Sequence, residues 1–497
     1  MTEMPEITKK TAAGSSHWRA LVWILLAGLA LRLGIWLVFC GEKLQIVDEI
    51  HYDDLAAELA QSGDFINPAE GFISIRPPLY PWLVSEIYHF AGLRNYAAVR
   101  GVQIFLSLLT AVFVFGLARE LNEITARSAL WAAAVFCFYP SLVIQNFFLL
   151  TETFFTFWLV LVLWTALRFL RTGSLYAAGF CGIFIAFGAL TRSILWLSPL
   201  PLALFFLFCP ISASVRTSAP DLPLKPIFSW KRRMAGALLL LLFAGVGMAP
   251  WIIRNTKIQR TFTPIDCMSG RNLMMGNYEF TPLYRAWDAI SMEPPRDWYS
   301  VLSRELAEQK KISLTPQTQG QKDHWASWYA KRYVCQHPFQ TIQRDGMKAL
   351  CFWQLERSIP SGALQGFWGF DRIPAGVPRK AAFTGLTICV LLPYVLLFGL
   401  AVLGVFSFPY HHSNLPGAAF LLAVLLYFWF LHSLAFAHER YHLPLVPILI
   451  LFAVWFAGNW SSALSRLRQN PVRYLPAALM LTAFVVFWSC EIYWAAS

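Results

Sequence analysis

The residues best able to do chemistry in this 497-residue chain are acids and arginines at the edges of long apolar runs. Val47-Asp48-Glu49-Ile50-His51-Tyr52 places two adjacent carboxylates just beyond the first such run. A carboxylate there can take a proton from a hydroxyl as a general base. The plain alternative is a solvated acid favoured at a helix start by the macrodipole. On a helix Glu49 points roughly 100° away from Asp48, which suits a structural or acceptor-side partner better than a second base. Ile75-Arg76-Pro77-Pro78-Leu79-Tyr80-Pro81 follows, and its prolines should break any helix and fix an extended turn. Arg76 beside that turn can hold a phosphate or carboxylate near a membrane surface, or snorkel to lipid headgroups. Glu152 opens another apolar run, where a carboxylate is costly unless paired or functional, although a first-turn acid beside Thr151 or Asn146 also suits a helix cap. Arg192 divides two apolar runs, and Arg440 sits within His438-Glu439-Arg440-Tyr441-His442. His438 and His442 have the i, i+4 spacing of a zinc pair, with no third ligand beside them.

These side chains must be positioned by membrane helices. Hydrophobic residues make up 57% of the chain, aromatics 16% and charged residues 14%, and the mean hydropathy is +0.51. Soluble domains carry about a quarter charged residues, so a soluble, disordered, fibrous or disulfide-scaffold protein is excluded. Apolar runs of spanning length lie near 21–39, 97–118, 127–146, 150–168, 175–191, 193–209, 235–252, 382–406, 416–435, 442–459 and 474–494. That makes about eleven transmembrane helices, an all-α polytopic membrane protein. The first run follows a polar tail, Met1 to Ser16, and ends at Cys40-Gly41-Glu42 without a small-residue cleavage site, as a retained helix does.

With the tail cytoplasmic, alternate loops are basic. Lys9, Lys10 and Arg19 precede the first run; Arg119 and Arg127, then Arg168 and Arg171, then Arg216, Lys225, Lys231, Arg232 and Arg233, and finally Arg466, Arg468 and Arg473 follow on the same side. This is the positive-inside pattern, and it accounts for the formal net charge of +12. No basic run with interleaved aromatics occurs, so nucleic acid is not an expected partner. The chain then divides into an amino-terminal membrane module, 1–252, with an external loop at 41–96, an extracytoplasmic domain at 253–381, and carboxy-terminal helices at 382–497. The middle segment holds Asp266 and a Trp-rich stretch from Trp287 to Trp353, suited either to a domain core or to stacking on sugars. Its Cys267, Cys335 and Cys351 leave a disulfide open, because the nine cysteines show no CxxC spacing.

In order along the chain, Asp48-Glu49, Gly63-Asp64 and Arg76-Pro77-Pro78-Leu79-Tyr80-Pro81 are followed by Leu150-Thr151-Glu152-Thr153 and Leu190-Thr191-Arg192. Ala249-Pro250-Trp251-Ile252-Ile253-Arg254-Asn255, Asn272-Leu273-Met274-Met275-Gly276-Asn277 and Glu439-Arg440-Tyr441-His442-Leu443-Pro444 complete the set. This ordered series resembles the GT-C glycosyltransferases, in the bacterial branch related to protein O-mannosyltransferases and the lipid A aminoarabinose transferase. The resemblance implies a GT-C bundle with a small extracytoplasmic domain. It implies a polyprenyl-phosphate-linked sugar as donor and an envelope glycolipid, glycan or protein as acceptor, on the outer face of the cytoplasmic (inner) membrane. It further implies Asp48 as catalytic base with Glu49 and Glu152 beside it. Arg76, Arg192 and Arg440 would bind the donor phosphate, and Tyr52, Tyr80, His438 and Tyr441 would line the cavity. Arg254 and Asn255 would pack the external domain onto the membrane part. The aminoarabinose transferases carry an acid and a lysine before the prolines; Ile75 and Arg76 keep the charge and lose the acid. No metal site is therefore assigned, and a divalent cation stays open.

A lipid-linked saccharide transporter, polymerase or ligase is the competing class. A flippase needs polar residues deep inside several helices, whereas the ionisable residues here gather at external helix ends.

Overall fold

The structure, a computed structural model, covers residues 6–39, 43–44, 46–67, 71, 73–209, 229–364, 378–410 and 415–496. Arg216, Lys225 and Cys40-Gly41-Glu42 lie outside the described residues, as do the side chains of Lys9 and Lys10. Among the described residues the fold is helical and contains no strand. It opens with α1 (Glu6–Phe39), α2 (Val47–Ser62) and α3 (Leu79–Ala91). Then come α4 (Tyr96–Glu120), α5 (Ala126–Phe138), α6 (Pro140–Ile144), α7 (Glu152–Thr172), α8 (Leu175–Thr191), α9 (Pro199–Phe208) and α10 (Trp230–Gln259). A helical insert follows, with α11 (Ser269–Met275), α12 (Trp298–Lys310), α13 (Gln319–Gln336), α14 (Pro338–Phe352) and α15 (Ser358–Leu364). The chain closes with α16 (Arg379–Ser407), α17 (Leu415–Leu434), α18 (Val446–Gly458), α19 (Trp460–Gln469) and α20 (Leu475–Ala496).

Each of the eleven apolar runs falls on a helix, but they are not equivalent. Eight helices of the described residues are long and apolar enough to cross a membrane. A ninth span is broken, with Ala126–Phe138 and Pro140–Phe147 meeting at 53°. Pro140 sits at the break, where a missing N–H and the ring both oppose a continuous helix. The runs at 175–191 and 193–209 become helices of 17 and 10 residues. The second is shortened because its first five residues wind into a 3₁₀ turn, Ser193–Leu197.

α7 and α18 are buried on nearly every side and form the centre of the bundle, as expected of helices apolar all round. Close packing elsewhere uses small residues. At Gly182 of α8 an added Cβ would strike the backbone carbonyl of Leu240 in α10. Arg32 of α1 is fully buried yet satisfied: Nε donates to Asn146 Oδ1 at 2.7 Å, Nη2 to Ser107 Oγ at 2.9 Å and Nη1 to the Cys137 carbonyl at 2.9 Å. An arginine at membrane depth persists only when so paired, and this one ties α1 and α4 to the bend.

The insert has its own apolar cluster, including Met274, Tyr278, Leu302, Leu306 and Ala330, with Trp298, Trp325 and Trp328 packed against it. These tryptophans serve as core. Lys348 docks the insert onto α17 by donating to the Leu434 and Ala435 carbonyls, each at 3.1 Å, and to Gly276 O at 3.3 Å. The ammonium thereby satisfies orphan carbonyls at a helix carboxy terminus. Arg254 and Asn255 stitch α10 to the first loop, with Arg254 reaching the Ile73 carbonyl and the Ser74 hydroxyl donating to Asn255 Oδ1 at 3.1 Å, while Asn255 Nδ2 donates to the Ile265 carbonyl after α10 at 2.8 Å. At Gly276 an added Cβ would run into the Ala435 carbonyl. Gly276→Ala should therefore destabilise the protein by about 1–3 kcal/mol, the range for overpacking, measured as a lower Tm of the purified chain in detergent.

Candidate active site

α2 begins immediately beside the membrane part and carries the acid pair in its first turn, where acids complement the helix dipole. The two carboxylates diverge as the 100° step requires. Glu49 is 2% exposed; one oxygen accepts from Ile46 N at 3.0 Å and the other from Leu149 N at 2.9 Å. Glu49 thus clamps the helix start and lies outside the cavity lining, which corrects its expected catalytic position. Along α2, Val47 and Ile50 are exposed, while Tyr52, Asp53, Ala56 and Ala57 face inward. Tyr88 and Tyr96 hydroxyls draw Asp53 in by donating to its two oxygens at 2.7 and 3.0 Å.

Asp48 faces the cavity and is gripped twice. Arg76 Nη2 donates to Oδ1 at 2.5 Å, and Arg440 Nη2 donates to Oδ2 at 2.9 Å. Arg440 Nε also meets Glu152 Oε1 at 3.3 Å, and Arg192 Nη1 meets the same oxygen at 3.4 Å. Five groups distant in sequence therefore form one chain: Arg76, Asp48, Arg440, Glu152 and Arg192. Aromatic rings hold the guanidinium planes, with Arg76 over Tyr52 at 5.1 Å and Arg192 over Tyr441 at 5.4 Å. Burial alone would push the Asp48 carboxyl up, but Arg76 and Arg440 outweigh it and hold the group well below the usual carboxylate range.

The prolines after Arg76 do not remain an extended turn. Pro78 precedes α3 and Pro81 lies in its first turn, where a missing N–H removes no helical bond. Arg76 is thus fixed at the start of a helix. Tyr80, expected in the cavity, is fully buried instead, with its hydroxyl donating to Gln103 Oε1 at 3.0 Å.

The cavity has a volume of about 980 Å³ and is lined by Asp48, Tyr52, Arg76, Glu152, Arg192, His438, Arg440 and Tyr441. It also draws in residues that sequence reading did not single out as site residues: His51, Asp266, Gln354, Arg357, Glu439 and Glu491. Glu491 had a legible signal, an acid inside the last apolar run. Burial pushes the Asp266 carboxyl up to about 6, against hydrogen bonds from Ser193 and Met268 that favour its ionised form.

His438 and His442 do not converge. His438 Nδ1 accepts from Arg440 N at 3.1 Å, while His442 is fully buried between the Phe352 carbonyl at 2.8 Å and Glu356 Oε1 at 3.0 Å. Burial first, and then Arg440, pull the His438 ring down to about 3 and keep it neutral. Among the described residues no group of three or more His, Cys, Asp or Glu is arranged to hold a metal ion. Cys267, Cys335 and Cys351 are free thiols. Trp287 lines the cavity, whereas Trp353 is buried and stacks on His442.

Residues 75–227 match the family model described as dolichyl-phosphate-mannose-protein mannosyltransferase, a stretch that includes Arg76, Glu152 and Arg192. No curated protein sequence matches the chain significantly. Among solved structures, the apo oligosaccharyltransferase of Archaeoglobus fulgidus superposes with a TM-score of 0.51 at 15% identity, over 95% of this chain and 55% of that one. The Archaeoglobus fulgidus oligosaccharyltransferase AglB in complex with an inhibitory peptide and a dolichol-phosphate gives 0.50 at 15% identity, over 95% and 54%. The apo ArnT of Cupriavidus metallidurans gives 0.36 at 16% identity, over 88% and 77%. The chain spans about half the length of the archaeal oligosaccharyltransferase it matches. Eight membrane-length helices among the described residues, in a bundle that superposes on that enzyme over 95% of this chain, make this chain a multi-pass membrane protein of the GT-C fold.

Proposed function

We propose that this chain transfers a sugar from a polyprenyl-phosphate carrier to a hydroxyl of an envelope acceptor, on the outer face of the cytoplasmic membrane. The observation that carries this reading is the grip of Arg76 and Arg440 on Asp48 at one cavity wall. The dolichol-phosphate bound to the archaeal oligosaccharyltransferase and the description of the matching family model support a lipid-phosphate donor.

Arginine forks suit phosphate oxygens as well as carboxylates. An entering donor phosphate competes with Asp48 for Arg76 and Arg440, and the displaced carboxylate becomes a usable base. The acceptor O–H then gives its proton to Asp48, and its oxygen bonds the anomeric carbon. The bond from that carbon to the phosphate oxygen breaks, and its electron pair stays on the phosphate. The arginines stabilise that growing charge more in the transition state than in the ground state. Glu152 keeps Arg192 and Arg440 directed at the site. With three guanidinium groups around two carboxylates, the site has little use for a divalent cation, and the reaction runs without one.

Asp48→Asn keeps the side chain's shape and removes its basicity. Turnover with undecaprenyl-phosphate hexose should fall by about 10²–10⁴, the usual worth of a general base. The same variant should bind undecaprenyl phosphate more tightly than the wild type, because a charged competitor is gone. Arg76→Ala and Arg440→Ala should each lower kcat on the lipid-phosphate sugar while leaving the acceptor KM nearly unchanged, as kinetics with donor and acceptor varied separately will read. Exhaustive chelation of divalent cations should leave the rate unaltered.

A further inference from the structure

One wall of the cavity takes no part in the proposed phosphate chemistry. Beside Arg440 that wall is built by Tyr284, Trp287, Gln354, His438, Glu439 and Glu491. Contacts join them into one surface. Gln354 Nε2 donates to Glu439 Oε2 at 3.4 Å, the Tyr284 hydroxyl donates to Glu491 Oε1 at 3.2 Å, and the Trp287 ring meets His438 edge-on at 4.7 Å. Leu355 N, one residue after Gln354, donates to Glu491 Oε2 at 3.1 Å.

The groups left over on this surface are of defined kinds. A carboxylate only accepts, so Glu439 takes the NH₂ end of the Gln354 amide and leaves Oε1 pointing away from it. Gln354 Oε1 is buried without a partner, in a residue 5% exposed. Trp287 Nε1–H is likewise buried without an acceptor. His438 accepts from a backbone N–H on Nδ1, so the neutral ring carries its hydrogen on Nε2 and presents a donor. Buried polar groups are rarely left unpaired in a protein interior. A ligand for this wall must both donate and accept hydrogen bonds, and offer an apolar face to an indole. Glu439 and Glu491 are matched on this wall by Arg285, over the Trp287 ring at 4.5 Å, and by Arg357, so it carries no excess positive charge to draw an anion and suits an uncharged ligand.

We propose that Trp287, Gln354, His438 and Glu491 form the recognition subsite for an uncharged, hydroxyl-bearing sugar ring attached to the phosphate at Arg440. This subsite rests on the donor reading above. The placement follows from connectivity, because the anomeric carbon is one oxygen away from phosphorus, and His438 and Glu439 directly precede Arg440.

The test is equilibrium binding to the full chain in lipid nanodiscs, with three probes: undecaprenyl phosphate, the same lipid bearing mannose or glucose, and the same lipid bearing glucuronic acid. Wild type should bind a hexosyl lipid more tightly than the bare lipid phosphate, and the glucuronosyl lipid no more tightly than the bare one. Gln354→Ala and Trp287→Phe should each weaken hexosyl-lipid binding roughly three- to tenfold, the worth of one hydrogen bond, with bare lipid phosphate bound as before. That retained binding also shows that the variants are folded. The subsite is overturned if both variants bind the hexosyl lipids like wild type, or lose hexosyl and bare lipid equally. Failure of wild type to bind bare undecaprenyl phosphate overturns the donor reading itself.

Discussion

A carboxylate flanked by two guanidinium groups in a half-buried cavity is the constraint around which this molecule is arranged. Asp48 lies near the start of the chain and Arg440 is 392 residues later. Charges removed from water are costly unless paired with good geometry, so the fold must bring α2, the turn before α3 and the segment entering α18 to one point. Glu152 at the start of α7 completes that requirement, being 2% exposed and facing both Arg192 and Arg440. The two most buried helices of the bundle, α7 and α18, thus each present a member of this cluster at or shortly before their starts.

Behind Arg440 a second polar layer fixes its direction. Glu439 accepts from the backbone N–H groups of Arg357 and Ser358, which anchors the turn preceding α18 to the insert. His442 is trapped between the Phe352 carbonyl and Glu356, and Glu356 also accepts from the Tyr139 and Ser141 hydroxyls. Tyr394 and Trp353 stack on the His442 ring. The insert, the bent α5–α6 pair, α16 and α18 all meet at this imidazole. A shift of the insert would move Arg440 with it, which explains why Lys348 and Gly276 pin the insert to α17 so tightly.

How much of this was legible depended on whether a feature is local. Apolar runs are local, and every one located a helix, although only the structure shows that Pro140 breaks one and that α9 is short. Asp48, Arg76, Glu152, Arg192 and Arg440 stand out because each interrupts or borders an apolar run, and the structure gathers all five. Glu49 and Tyr80 share those neighbourhoods but turn the other way. A carboxylate that caps a helix start and one that faces a cavity look alike in sequence, and only the position of Leu149 N decides. Gln354 and Asp266 carry no motif and reach the cavity through packing that no local pattern encodes, whereas Glu491 is marked as an acid inside an apolar run but only the packing of α20 shows which way it faces. His438 and His442 mislead for the opposite reason. Their i, i+4 spacing implies one helix face, but the segment between them is a 3₁₀ turn that points the rings apart.

Charge conservation connects the cluster to the proposed cycle. Within the cluster three arginines face two carboxylates, which leaves room for one further negative charge, the charge of a phosphodiester. In the proposed transfer the phosphate would gain a second charge while Asp48, on taking the acceptor's proton, would lose its own. The total is the same before and after, so the low-dielectric site meets no net change at the moment of reaction, the condition under which fixed dipoles and charges help most. The balance breaks only when Asp48 releases its proton. The carboxylate then returns as a competitor for Arg76 and Arg440, against a phosphate now one charge in excess of what the wall accommodates. In the proposed cycle the ion pairs of Asp48 with Arg76 and Arg440 would thus re-form and drive out the spent carrier, and loss of the Asp48 proton would be the step that commits the cycle to product release.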